Sequence, residues 1–214
     1  EGFLLSEDID KNQVNGAWTY SLVQRFWVTA LWKHPSVRQF DTIMRIDTDS
    51  CFVERGFDVE DLHLPGIRGR YIYRSNGPST GVDVWIDGLY DFTVDYVEAN
   101  KITPSHPELW ERVKNMWIEE GTLPVFETNF EIFRVSFFQR RDVMLWHDAL
   151  TEREPYGVMR NRWGDAQIRV LTMALFGTKD SVEDNVLMKE HQGYRHGKGI
   201  CAEHFFASGN SHSA

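Results

Sequence analysis

The sequence predicts an α/β fold, and three observations carry that prediction. Short apolar runs alternate along the chain with segments of helical period. Clusters of Gly, Pro, Asp and Ser punctuate them, as turns between packed elements do. The 214 residues, 42% hydrophobic and 14% aromatic, suffice for one sizeable core, and no composition shift marks a boundary within 1–214.

The elements follow in order. Trp18, Leu22, Phe26 and Ala30, with Val23, Trp27 and Leu31 beside them, predict a helix over 18–33 with a wide buried face. His34-Pro35 ends it. The segment DTIMRID (41–47) reads as a short buried strand, and CFVE (51–54) as a second one. Residues 56–80 read mostly as loop, with a strand at RYIYR (70–74). Helices are expected over 84–100 and over 107–119, the latter with Pro107 in its first turn. FETNFEIFRVSFF (126–138) reads as a strand running into the start of a helix, and 142–150 as helix. Asp165 is expected to cap a helix over 166–176 that Gly177 closes. The tail after Gly197 has little periodic pattern.

Composition narrows the function. A formal net charge of −9 offers no basic face for nucleic acid. It leaves room for a phosphate ligand, since a bound metal supplies local positive charge. Cys51 and Cys201 fit no zinc spacing. Cys51 reads as a buried thiol, and a disulfide with Cys201 is open to it in an oxidising compartment. No apolar run approaches the ~20 residues of a membrane span.

Four constellations carry chemistry. In RIDTDS (45–50), Asp47 and Asp49 close an apolar strand. Two adjacent carboxylates there need either solvent or a divalent ion, and oxygen ligands suit Mg²⁺ or Mn²⁺. In TNFEIF (128–133), Glu131 lies between Phe130 and Ile132, where a carboxylate can act as nucleophile, base or cation stabiliser, or sit on the polar face of a strand. In NRWGDAQ (161–167), Asp165 could bind a sugar hydroxyl and Trp163 could stack on a sugar ring; a helix cap beside a core tryptophan is the alternative. In QGYRH (192–196), His196 could complete a metal shell and Arg195 could pair with phosphate.

Taken in order, these segments resemble the fungal Golgi α-1,2-mannosyltransferases. The resemblance comprises Tyr20, Arg25 and Phe26 followed by His34-Pro35, then Arg45 to Asp49, Thr128 to Ile132, Arg162 to Ala166, and Gly193 to His196. It implies a GT-A-like nucleotide-sugar transferase fold and retaining, Mn²⁺-dependent transfer of mannose from GDP-mannose to a glycan or glycoprotein hydroxyl. By the same resemblance Asp47, Asp49 and His196 would hold the metal, and Glu131 and Asp165 would be catalytic. Tyr20, Arg25, Arg45, Asn129, Arg162, Trp163 and Tyr194 would line the substrate site. The resemblance also implies a Golgi lumenal protein whose membrane anchor and first nucleotide-binding units lie upstream of this chain. A UDP-sugar transferase of the same fold and a non-catalytic glycan-binding relative are the rival readings.

Overall fold

The computed structural model describes residues 17–52, 71–73, 76–78, 85–184, 194–197 and 201. The expected loop over 56–80 and the tail after Gly197 fall largely outside them. The first helix, α1 (Ala17–Arg25), runs through a π-helical stretch (Phe26–Ala30) into α2 (Leu31–Lys33). It ends at His34, as the sequence indicates. Its buried face differs from the expected one. Val28, Leu31 and Trp32 point inward, whereas Val23 and Phe26 are each 43% exposed. The π-helical stretch departs from the 3.6-residue turn, so a constant period drifts off the true face.

The chain continues with β1 (Thr42–Ile46), β2 (Ser50–Phe52), β3 (Tyr71–Tyr73) and β4 (Asn76–Pro78). Helices α3 (Leu89–Ala99) and α4 (Pro107–Glu120) follow, then β5 (Pro124–Phe126) and β6 (Phe130–Arg134). Four helices come next: α5 (Val135–Phe138), α6 (Arg141–Thr151), α7 (Gly157–Arg160) and α8 (Asp165–Phe176). The last strands are β7 (Val182–Asp184) and β8 (Tyr194–His196). Helix α3 starts later than expected because Gly88 adopts φ +69°, a left-handed conformation that interrupts a helix. Helix α8 begins at Asp165 itself. Gly164, not Asp165, occupies the cap position, and it makes no side-chain cap.

The main sheet has the order β1-β6-β3-β7. Strand β6 is antiparallel to both β1 and β3, while β3 and β7 are parallel. Two separate ribbons pair β2 with β8 and β4 with β5. Strand β6 is the keel: Phe130, Glu131, Ile132 and Phe133 are all fully buried. Strand β1 is an edge in this order, and it is only half-buried rather than the buried strand expected. Met44 and Ile46 lie on its open side, and Arg45 is the residue turned inward.

Aromatic packing joins this sheet to the helices. Trp32 stacks on Phe138 at 4.5 Å and meets Phe133 edge-on at 5.2 Å. Helix α8 is buried at every residue except Ala166. Its last carbonyls are satisfied from the loop before α4: the amides of Ser105 and His106 donate to Leu175 and Ala174.

Candidate active site

The register of the sheet sets the site. Arg45 on β1 lies directly opposite Glu131 on β6. The Arg45 guanidinium donates from Nη1 to Glu131 Oε1 at 3.0 Å and to Asp165 Oδ2 at 2.5 Å. Its Nε donates to Asp47 Oδ1 at 3.2 Å. The face of the Trp27 ring covers it at 4.4 Å. The second oxygen of Glu131 accepts from the Tyr71 hydroxyl at 2.6 Å and from Arg169 Nε at 3.1 Å. Arg169 rises from the middle of α8, donates also to the Trp27 carbonyl, and lies over the Phe133 and Phe138 rings at 4.9 Å each.

Two guanidiniums and two carboxylates, those of Glu131 and Asp165, therefore share one buried compartment. Burying an isolated charge is costly, and here each charge meets an opposite one. Burial pushes the Glu131 carboxyl up, with the Arg169 and Arg45 cations pulling against it. Burial alone would lower the Arg45 pKa, but the carboxylates of Asp165 and Glu131 outweigh it and hold the guanidinium firmly charged. Tyr20 stands at the margin of this compartment. Burial and the Asp165 carboxylate push its phenol up to about 12, against the pull of Arg45 and Arg162. It stacks on Trp85 at 6.0 Å, and the Arg162 guanidinium lies over its ring at 5.7 Å.

Just past β1 the chain turns and pairs with a distant strand. Asp47, Asp49 and His196 each offer a ligand atom within 4.8 Å of the others. His196 Nδ1 is 3.2 Å from Asp49 Oδ1 and 3.0 Å from Ser50 Oγ. Asn129 supports the turn through its carbonyl, which accepts from the Asp47 amide at 3.0 Å and from the Tyr194 hydroxyl at 2.9 Å. Two carboxylates and one imidazole form a donor set that fits Mn²⁺, a cation served by oxygen ligands that also accepts nitrogen. The half-exposed position of all three leaves room for phosphate oxygens to complete a shell.

The structure thus brings together Tyr20, Arg45, Asp47, Asp49, Asn129, Glu131, Arg162, Asp165 and His196. Four of the expected residues are enclosed or tied elsewhere. Glu131 has no accessible surface, and both its oxygens are engaged, so no oxygen is open to attack a sugar carbon. Trp163 is 1% exposed, donates to the Asp87 carbonyl and packs on Gly157, so its ring offers no face to a sugar. Arg25 meets Glu152 through Nε and Nη2, which ties α1 to the end of α6. Tyr194 is buried against Phe52 and Phe130, with its hydroxyl on Ser50 and Asn129; it braces the cluster rather than facing a ligand.

Arg169, Tyr71 and Gln24 were not expected from the sequence. Gln24 Oε1 accepts from the Asp165 amide at 2.7 Å and so fixes the start of α8 against α1. A signal existed for Arg169, which is the only charge in an otherwise apolar run from Ile168 to Phe176. Tyr71 and Gln24 carried none.

A mixed sheet with a cluster of cation-type ligands just beyond its edge strand is the arrangement of a GT-A-like domain. Comparison with known proteins specifies it further. The profile of the family described as glycolipid 2-alpha-mannosyltransferase matches residues 5–204, and the chain belongs to that family. The probable mannosyltransferase KTR4 of Saccharomyces cerevisiae is 26% identical over 77% of this chain and 36% of its own length. The glycolipid 2-alpha-mannosyltransferase of the same yeast is 22% identical over 78% of this chain and 37% of its own. Among solved structures, S. cerevisiae Ktr4p in complex with GDP superposes with a TM-score of 0.67 at 22% identity, over 89% of this chain and 48% of that one. Core-mannan synthase A of Aspergillus fumigatus, in a Mn/GDP form, gives 0.65 at 21% identity, over 87% and 50%. The chain therefore spans less than half the length of the curated relatives it matches.

Proposed function

We propose that this domain serves the retaining transfer of mannose from GDP-mannose to a hydroxyl of a glycan or glycoprotein, with Mn²⁺ as its cation. The observation that carries this reading is the meeting of Asp47, Asp49 and His196 within 4.8 Å, beside the buried ion compartment, in a chain of this family. A divalent ion held there would neutralise diphosphate oxygens and ease departure of the nucleoside diphosphate.

The chain's own residues divide the remaining work. Arg45 holds Asp47 at the cluster and Asp165 at the start of α8, so one guanidinium spaces the cation ligands from the acceptor side. The protonated Tyr20 phenol, at the margin of the compartment, is the polar group set to orient a sugar hydroxyl, with the enclosed Asp165 carboxylate behind it on Arg45. Arg162 adds positive charge next to Tyr20. Because Glu131 is enclosed, a covalent glycosyl intermediate on it is disfavoured. Same-face substitution suits the site better: the acceptor oxygen bonds to the anomeric carbon as the sugar–phosphate bond breaks, and the acceptor proton passes to the departing diphosphate. A Golgi lumenal location accords with the disulfide between Cys51 and Cys201, a bond that persists in oxidising compartments.

Calorimetric titration of Mn²⁺ and GDP into the protein tests the reading. Asp49→Asn removes a ligand outright, so its loss of Mn²⁺ affinity should reach at least the ~10–100-fold seen when outer partners of a metal site are removed. Undiminished Mn²⁺ and GDP binding in that variant would refute the site. UDP displacing GDP at equal concentration would refute the donor.

A further inference from the structure

We propose that the Cys51–Cys201 disulfide is the positioning element of the cation cluster, so that the protein binds Mn²⁺ tightly in its oxidised form and weakly once reduced. The proposal rests on reading Asp47, Asp49 and His196 as the cation ligands.

The three ligands are not held alike. Asp47 belongs to the main sheet: its amide donates to the Asn129 carbonyl and its carboxylate receives Arg45 Nε. His196 belongs to the small ribbon of β2 and β8, and Asp49 lies in the turn that leads into it, where the Ser50 amide donates to the Asp47 carbonyl. Among the described residues this ribbon is separate from that sheet and pairs Ser50 with His196, Cys51 with Arg195 and Phe52 with Tyr194. Isolated two-stranded ribbons are marginally stable. The partners within this one, Ser50 and His196, are 146 residues apart in sequence, so bringing them together closes a long loop at an entropic cost.

The disulfide sits where it offsets that cost. Cys51 lies in β2, immediately after Asp49-Ser50, and Cys201 lies just beyond His196. The bond between them, across a sequence separation of 150, joins the strand that follows one ligand to the segment that follows the other. Besides it the ribbon is held by the Gly197 amide on the Asp49 carbonyl, the Ser50–His196 contact, the Tyr194 hydroxyl on Ser50 and Asn129, and the packing of Phe52 and Tyr194 on Phe130. Cys51 is buried, but Cys201 is partly accessible, so a reductant can reach the bond from its side.

Reduction by a phosphine or dithiol adds two electrons and two protons, breaks the S–S bond and leaves two thiols. Asp47 stays in place on the sheet, while the ribbon that carries His196 and follows Asp49 loses its one covalent tie among the described residues and keeps only non-covalent contacts. The consequence is local: Mn²⁺ affinity falls while the aromatic core is untouched.

The test is a Mn²⁺ titration followed by the electron paramagnetic resonance signal of the free ion. It compares the oxidised chain, the chain reduced by a phosphine that is then removed without air, and the double variant Cys51→Ser with Cys201→Ser. Near-ultraviolet circular dichroism reports the core in each. The expected result is a loss of Mn²⁺ affinity of at least about 10-fold in the reduced and double-variant forms, the scale on which supporting residues act on metal sites, with the core signal retained. Equal affinity in oxidised and reduced protein would overturn the proposal and leave the ligand assignment standing. Loss of the core signal on reduction would also overturn it, making the bond a global staple. Failure of the oxidised protein to bind Mn²⁺ would remove the ligand assignment and this proposal with it.

Discussion

Replacing Glu131 by Gln separates an enclosed carboxylate from an open one. The substitution keeps the side chain's shape and removes one negative charge. Arg45 would then keep the Asp165 and Asp47 carboxylates, while Arg169 would lose the carboxylate its Nε meets, inside a compartment with almost no solvent. Three contacts lose their charged acceptor: Arg45 Nη1 at 3.0 Å, Arg169 Nε at 3.1 Å and the Tyr71 hydroxyl at 2.6 Å. Hydrogen bonds to charged groups contribute about 1.5–3 kcal/mol each, but they share one carboxylate and do not add. Removing one partner of a buried ion pair costs about 3–5 kcal/mol, which is the figure to expect here. For a chain of this size each kcal/mol shifts the melting temperature by about 2–4 °C, so the midpoint should fall by roughly 6–20 °C. Calorimetric melts of the two proteins at neutral pH measure it directly. An unchanged midpoint would show that Glu131 is open to solvent in the folded protein, and the enclosed compartment would be wrong.

Two further outcomes follow from burial. His147 is fully buried, and burial with the nearby Arg169 cation holds its imidazole well below 6.5. The folded protein thus refuses a proton that the unfolded chain accepts below about 6.5, so stability is full above that value and declines by up to about 1.4 kcal/mol per pH unit beneath it. His147→Gln should flatten this decline in urea melts, and parallel pH profiles for the two proteins would count against it. Gly157→Ala would set a Cβ 2.1 Å from the Trp163 ring, so overpacking should cost about 1–3 kcal/mol in a denaturant midpoint. A neutral effect there would mean the Trp163 ring has room to move.

Much of the fold was legible because its signals are local. Proline at the start of α4 and the change of period after Arg134 needed only neighbouring residues. The meeting of Asp47, Asp49 and His196 was legible through motif order, not through spacing, since His196 reaches Asp49 through the pairing of β8 with β2. What escaped was set by tertiary context. Strand β1 looks like a buried strand because of Ile43 and Ile46, yet its edge position leaves Ile46 outside and turns Arg45 inward. Glu131 reads as the polar residue of a half-exposed strand, but β6 has a neighbour on each side and both faces covered. Helix α8 is buried all round and therefore shows no stripe to orient Arg169.

The π-helical stretch from Phe26 to Ala30 carries a consequence for insertions and deletions. It carries Val28 within it and separates Gln24, which receives the Asp165 amide, from Trp32, which anchors in the aromatic core. Trp27, inside the stretch, gives its carbonyl to Arg169 and its ring to Arg45. Losing one residue there would let the helix close into uniform α turns and would rotate everything before it by about 100° against everything after. Gln24 would then swing off the start of α8 while Trp32 stayed in place. Side chains in this stretch can be exchanged for others of like size, but its length in residues is fixed. Chains that share this site should therefore differ in spelling between Gln24 and Trp32 and agree in count.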